Sequence, residues 1–182
     1  TDKQRRSLFI EIKEKAIFYH ISIISPQTID EINILEASRL GMQQALDEMI
    51  KNNFEPDVVI TDYMKLNTNK NLVSIKKGDA TSLSVAAASI LAKVTRDDIL
   101  MEIDKKYPDY GFAKHKGYPT KAHLEALEKY GIIDGIYRKS YGPVKKIIEK
   151  ADKLYALRGE LEAVADKVCE AGFDNILFTS AG

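Results

Sequence analysis

The sequence predicts an α/β layer fold, a sheet flanked by helices. Three observations carry this. Runs with apolar residues three and four apart alternate with short β-branched runs. One β-branched run, Val58-Val-Ile60, is apolar at every position, as expected of a strand covered on both faces. A later helical run carries a block of small residues, Ala86, Ala87, Ala88, Ser89 and Ala92, which would let it lie close against a sheet.

The first helix is expected from the start of the chain. Thr1 and Gln4 have capping-box spacing, and Leu8, Phe9, Ile12 and Ala16 follow at helical intervals. Ile17 to Ile24 is β-branched and aromatic and stops before Pro26, which reads as a strand. Thr28 and Glu31 make a second capping box. The helix beyond it keeps Leu35, Met42, Leu46 and Met49 in phase to about Ile50.

Asp57 to Asp62 and Val73 to Ile75 are the next strand candidates. A long helix is expected from Ser82 to about Lys105, stopped by Pro108. Residues 107–120 read as a loop rich in Tyr, Gly, Lys and His. Thr120 opens a helix through Leu124 and Leu127 that ends at Gly131. A second loop, Ile132 to Pro143, precedes a charged helix from Val144 to Ala171 with a possible break at Gly159. Asn175 to Thr179 is a last strand candidate.

Composition narrows the function classes. The 182 residues are 45% hydrophobic and 30% charged, an ordinary globular mix with enough chain for one core and an appendage. Formal net charge is +0, so any affinity for nucleic acid must come from a local basic patch. A single cysteine, Cys169, excludes a disulfide framework and a thiolate cluster within the chain, and suits a reducing cytoplasm. No apolar run approaches the roughly 18 residues of a membrane span. Thr1 to Arg6 is polar and charged, unlike a signal peptide.

Two carboxylates stand where an α/β sheet opens to ligand. Asp62 ends the apolar strand, and Asp79 follows a strand-like stretch and precedes the long helix. Such a pair suits a hard divalent cation, which prefers oxygen ligands. It equally suits a strand end and a helix cap, and the residues alone leave both readings open. Nearby in sequence, Tyr110-Gly-Phe-Ala-Lys-His-Lys-Gly-Tyr118 gathers Lys114, His115, Lys116 and two tyrosines. Cations suit phosphates and aromatic faces suit sugars and bases, so this cluster reads as a nucleic-acid contact. The alternative is a solvated loop whose tyrosines pack inward. Lys93 and Arg96 lie three apart on one face of the long helix. Tyr137, Arg138, Lys139 and Tyr141 repeat the same chemistry more weakly.

Four stretches together resemble bacterial ribonuclease HII. They are Ile29-Asp-Glu-Ile-Asn-Ile-Leu-Glu-Ala37, Lys77-Gly-Asp-Ala-Thr-Ser-Leu-Ser-Val-Ala-Ala-Ala-Ser-Ile-Leu-Ala-Lys-Val-Thr-Arg-Asp97, Tyr110 to Tyr118, and Arg138-Lys-Ser-Tyr-Gly-Pro-Val144. The likeness runs over about residues 1–146. It implies a ribonuclease H-like mixed sheet flanked by helices, with a C-terminal helical region. It implies hydrolysis of the RNA strand of RNA/DNA hybrids, and nicking of DNA with embedded ribonucleotides, by two Mg²⁺ or Mn²⁺ ions held on four acids. Asp62 and Asp79 correspond to two of these acids. Tyr118 corresponds to a tyrosine that stacks on a sugar. Lys114, Lys116 and His115 are expected to contact substrate beside it. Asp62 and Asp79 are thus expected to converge on one pocket that Tyr118 faces. A monomer in the cytoplasm, with no membrane partner, is expected.

The resemblance also sets an expectation of loss. The family's opening strand, with its Asp-Glu pair and Gly-Arg-Gly loop, has no counterpart before Thr1. The expected arrangement is therefore a domain over 1–146 lacking its first strands, with impaired hydrolysis, and an appended helix and strand over 147–182. The alternatives are a non-catalytic nucleic-acid-binding remnant, or a fusion with a sugar-phosphate isomerase-like fragment, which the end of the chain resembles. A further reading has Ile176 to Thr179 filling an empty strand position in the sheet.

Overall fold

A computed structural model describes residues 1–170. The first helix, α1 (Asp2–Lys15), opens on the expected capping box, with Thr1 and Gln4 satisfying each other's orphan groups. The next helix, α2 (Pro26–Lys51), starts three residues before the expected box. Ser25 is its N-cap, accepting from the Thr28 N–H at 3.1 Å, and Pro26 fills the first turn, where a missing N–H costs nothing.

Asn33 kinks α2. Its backbone lies at φ 68°, and its side-chain Oδ1 accepts from the N–H groups of Leu35 and Glu36. Asparagine tolerates this left-handed region, and its side chain re-caps the helix beyond the break.

Between these helices, Ile17 to Ile24 is not a strand, which corrects the sequence reading. Its side chains do pack: Phe18 lies 5.1 Å from Phe54 ring to ring, and Ile24 Cγ1 rests where a Cβ on Gly41 would lie 3.6 Å away. Its backbone, however, makes no main-chain hydrogen bond among the described residues. β-branched composition makes a segment fit for a ladder, but a ladder needs a partner in register.

The sheet among the described residues has two parallel strands, β1 (Val58–Asp62) and β2 (Asn71–Ile75), in register from Val58↔Asn71 to Asp62↔Ile75. The expectation of a strand covered on both faces is also corrected, because Val58 is 44% exposed and Ile60 37%. A short helix, α3 (Gly78–Thr81), follows β2 after Lys77, which sits in the left-handed region at φ 58°. Then comes the long helix, α4 (Leu83–Lys106), capped by Ser82 as the sequence indicates.

The core lies at the other end of α4. Residues 107–120 are more ordered than a loop, holding a 3-10 turn (Pro108–Tyr110) and the one-turn helix α5 (Phe112–His115). Thr120 caps α6 (Lys121–Tyr130), and Gly131 ends it at φ 80°. Tyr110, Phe112, Ala126, Leu127, Tyr137 and Val144 form one buried cluster. Tyr110 and Phe112 stack at 5.9 Å, and the Tyr110 hydroxyl donates to the carbonyls of Tyr130 and Gly131. An aromatic core with its polar tip satisfied costs little in desolvation.

The final helix, α7 (Gly142–Glu170), begins two residues earlier than expected and runs through Gly159 without a break. The expected division at 146/147 falls inside it, and Ile147 and Ile148 still pack on the core. The last strand candidate, Asn175 to Thr179, and the ideas built on it lie outside the described residues. Among those residues no helix is long and apolar enough to cross a membrane.

Candidate nucleic-acid and metal site

Asp62 and Asp79 come together at the open end of the sheet. Asp62 is the last residue of β1, and its Oδ1 accepts from the Gly78 backbone N–H at 3.0 Å. Gly78 is buried and opens α3, so Asp79, the next residue, stands in the first turn of that helix. Close approach needs glycine at 78, because a Cβ there would meet Val85 Cγ1 at 3.3 Å and Asp62 Cα at 3.5 Å. Both carboxylates are exposed. They are an oxygen-only donor set reachable from solvent, which suits a hard cation that keeps waters of its own. Among the described residues no group of three or more His, Cys, Asp or Glu side chains could hold a metal ion. The pair therefore fits one such ion with water and substrate oxygens completing its shell, and falls short of what two ions need.

The basic and aromatic residues form a second patch along α4. Tyr118 is 57% exposed. Lys93 Nζ lies 5.5 Å from its ring centroid and Arg96 Cζ 5.6 Å. Tyr118 lines an open cleft of about 1030 Å³, with Lys93, Lys114 and Lys116 on its walls and Arg5 and Arg6 of α1 across from them. Asp62 and Asp79 do not line it. The single expected pocket is thus two neighbouring patches joined by α4. Val85, against Gly78, and Lys93, against Tyr118, are eight residues apart on one helix, about 12 Å along its axis.

The other expected contacts divide. Lys114 is exposed in α5, and Lys116 Nζ rests on Met101 Sδ at the cleft wall. Lys116 holds φ 49° and Gly117 φ 75°, two successive left-handed residues that turn Tyr118 back toward α4. His115, expected to touch substrate, is instead turned inward and 8% exposed. Its Nδ1 accepts from the Gly117 N–H at 3.1 Å, which leaves Nε2 to donate to the Tyr110 carbonyl at 2.7 Å. Its ring stacks on His123 at 3.9 Å. His123 in turn bonds the Tyr118 carbonyl and the Tyr137 hydroxyl, each at 2.9 Å. Burial pushes the imidazole of His123 below its ordinary range and the phenol of Tyr137 above its own. Both histidines hold the loop that presents Tyr118.

Sequence reasoning missed two parts of this cleft. Arg5 and Arg6 enter from α1, and no spacing rule links residues 5 and 118. Asp97 is buried beneath the cations, and its signal was present: Lys93 and Asp97 are four apart on a helix.

The comparisons with known proteins agree with one another. The sequence profile of the family described as ribonuclease HII matches residues 1–142. The ribonuclease HII of Bacillus cytotoxicus is 46% identical over 149 residues, covering 82% of this chain and 56% of that protein. That of a Shewanella strain is 48% identical over 155 residues, covering 82% and 72%. That of Francisella tularensis is 50% identical over 153 residues, covering 82% and 79%. The chain thus spans a little over half to about four fifths of these relatives. The crystal structure of ribonuclease H2 from Pyrococcus horikoshii superposes with a TM-score of 0.67 at 26% identity, covering 82% of this chain and 77% of that one.

Proposed function

The chain belongs to the ribonuclease HII family, and from that premise we propose that it acts on RNA/DNA hybrids, and on DNA with embedded ribonucleotides, as a divalent-metal-dependent endoribonuclease. The observation that carries this is the Asp62–Gly78 hydrogen bond, which sets Asp62 beside Asp79 at the solvent-open end of β1.

Asp62 and Asp79 hold Mg²⁺ or Mn²⁺, and the ion supplies positive charge against the oxyanion that develops on the scissile phosphate. The chain's own groups do the rest. Tyr118 offers its exposed face to a sugar or base, flanked by the charges of Lys93 and Arg96. Lys114 and Lys116 take backbone phosphates along the cleft. The protein works as a monomer in the cytoplasm.

Two-ion catalysis needs more acids than Asp62 and Asp79. Hydrolysis by these 182 residues is therefore slow, and binding outlasts cutting. That favours a second reading, in which this polypeptide binds hybrid without cutting it. It rests on the lack of a cluster of three or more ligands among the described residues.

The test is cleavage of a duplex carrying one ribonucleotide, in Mn²⁺, beside a binding titration of the same duplex. Slow cutting abolished by Asp62→Asn supports the nuclease. Tight binding with no cutting supports the second reading. No binding of either duplex sinks both.

A further inference from the structure

Asp97 continues the buried stripe of α4, following Leu91 and Val94, and is only 4% exposed. A carboxylate on such a stripe is costly unless its charge is met. Here Asp97 Oδ1 accepts from Lys93 Nζ at 2.7 Å, and Arg96 Nη1 stands 3.6 Å from the same oxygen. Those two cations are the pair that flank the Tyr118 ring. Arg96 is also steered from the far side, where its Nη2 would lie 3.4 Å from a Cβ on Gly117.

We propose that Asp97 is a positioning residue, whose buried carboxylate holds Lys93 and Arg96 against Tyr118 and so fixes the stacking platform of the nucleic-acid cleft. Lysine and arginine side chains have many rotamers, and an untethered pair would spread into the cleft. With one oxygen shared by both, the ammonium and guanidinium stay over the ring, and the ring is held for a sugar or base before ligand arrives. The cost of ordering these side chains is then met on folding rather than on binding. This inference rests on the nucleic-acid reading of the cleft.

The sign of the effect separates positioning from plain electrostatics. Removing an acid beside a phosphate-binding surface should tighten binding of a polyanion. Loss of a tether should weaken it. Asp97→Asn keeps the shape and removes the charge. Asp97→Leu extends the apolar stripe and is expected to hold the melting temperature even if the first variant does not fold.

Binding of the one-ribonucleotide duplex is measured by fluorescence anisotropy at fixed salt. The Lys93 ε-methylene proton shifts are measured by NMR without ligand. In the wild type the Tyr118 ring current displaces those shifts. In either folded variant they return toward ordinary lysine values and Kd rises about fivefold to thirtyfold, the size of a lost cation–π contact. Unchanged Lys93 shifts, or a Kd equal to or tighter than wild type, overturn the proposal. Should the wild type bind no duplex, the nucleic-acid reading fails, while the Lys93 shifts still decide whether Asp97 is the tether.

Discussion

Asp62 Oδ1 and the Gly78 N–H are 3.0 Å apart, and this bond ties the end of β1 to the start of α3. It holds two acids, distant by 17 positions in the chain, on one solvent-open rim. Asp62→Asn and Asp79→Asn should each abolish Mn²⁺ binding read by calorimetry. Each should lower any cleavage by about 100-fold or more, roughly 2.7 kcal/mol of barrier. Melting temperature should change little, since both side chains are exposed. Retained Mn²⁺ affinity in both variants would place the ion elsewhere.

Tyr118→Ala removes the exposed ring from the cleft. Hybrid affinity should fall by about 1–3 kcal/mol, the worth of one aromatic stack, with stability near wild type. Lys114→Ala should instead reduce the slope of log K against log salt by about 1. Anisotropy titrations at several salt concentrations separate the two.

His123 links Tyr118, His115 and Tyr137, and its burial lowers the pKa below the ordinary 6.5. The unfolded chain therefore takes up a proton at higher pH than the folded one. Stability is full above about pH 6.5 and declines as the pH falls from there toward the lower folded value. Thermal melts from pH 7.5 to 5 should show this slope, and His123→Gln should flatten it.

Asp30 accepts from the N–H groups of Lys139 and Ser140 at 2.7 and 3.0 Å and from the Ser140 hydroxyl at 2.5 Å, so the start of α2 is tied to the loop before α7. The Ser140 hydroxyl, helped by the two backbone N–H groups and the Arg138 charge, holds this carboxyl below its ordinary 3.8. Its stabilisation is present above about that pH and is lost as the pH falls through the lower folded value. Asp30→Asn should lower the melting temperature at pH 7. Acid melts should then lose the part of their slope below pH 4 that the wild type owes to this group.

Leu127 is 1% exposed at the centre of the aromatic cluster. Leu127→Ala should cost about 2–5 kcal/mol in chemical denaturation, because the surrounding rings cannot collapse fully into the space. A loss under 1 kcal/mol would show that this cluster is not the core.

Helix limits were legible wherever a local signal sets them. The caps at Thr1, Ser82 and Thr120, and the stop at Gly131, act within one turn of chain and appear as read. Ile17 to Ile24 failed because strand identity is a property of pairing, and its composition says nothing about a partner. His115 was misread for a related reason. Its sequence neighbours are basic and exposed, but its ring direction is set by Tyr110 and His123, which enclose it in space.

The pattern of residues was enough to announce the α/β class, the family, the two acids and the aromatic-basic loop, since each rests on short-range spacing or on an ordered set of motifs. Folding alone settled that the acids and Tyr118 occupy separate patches about 12 Å apart along α4, that Arg5 and Arg6 cross to the same cleft, and that Asp97 lies beneath its cations. Those relations join residues up to more than a hundred positions apart, and such distances are fixed by how helices pack around a shared core, which no local spacing encodes.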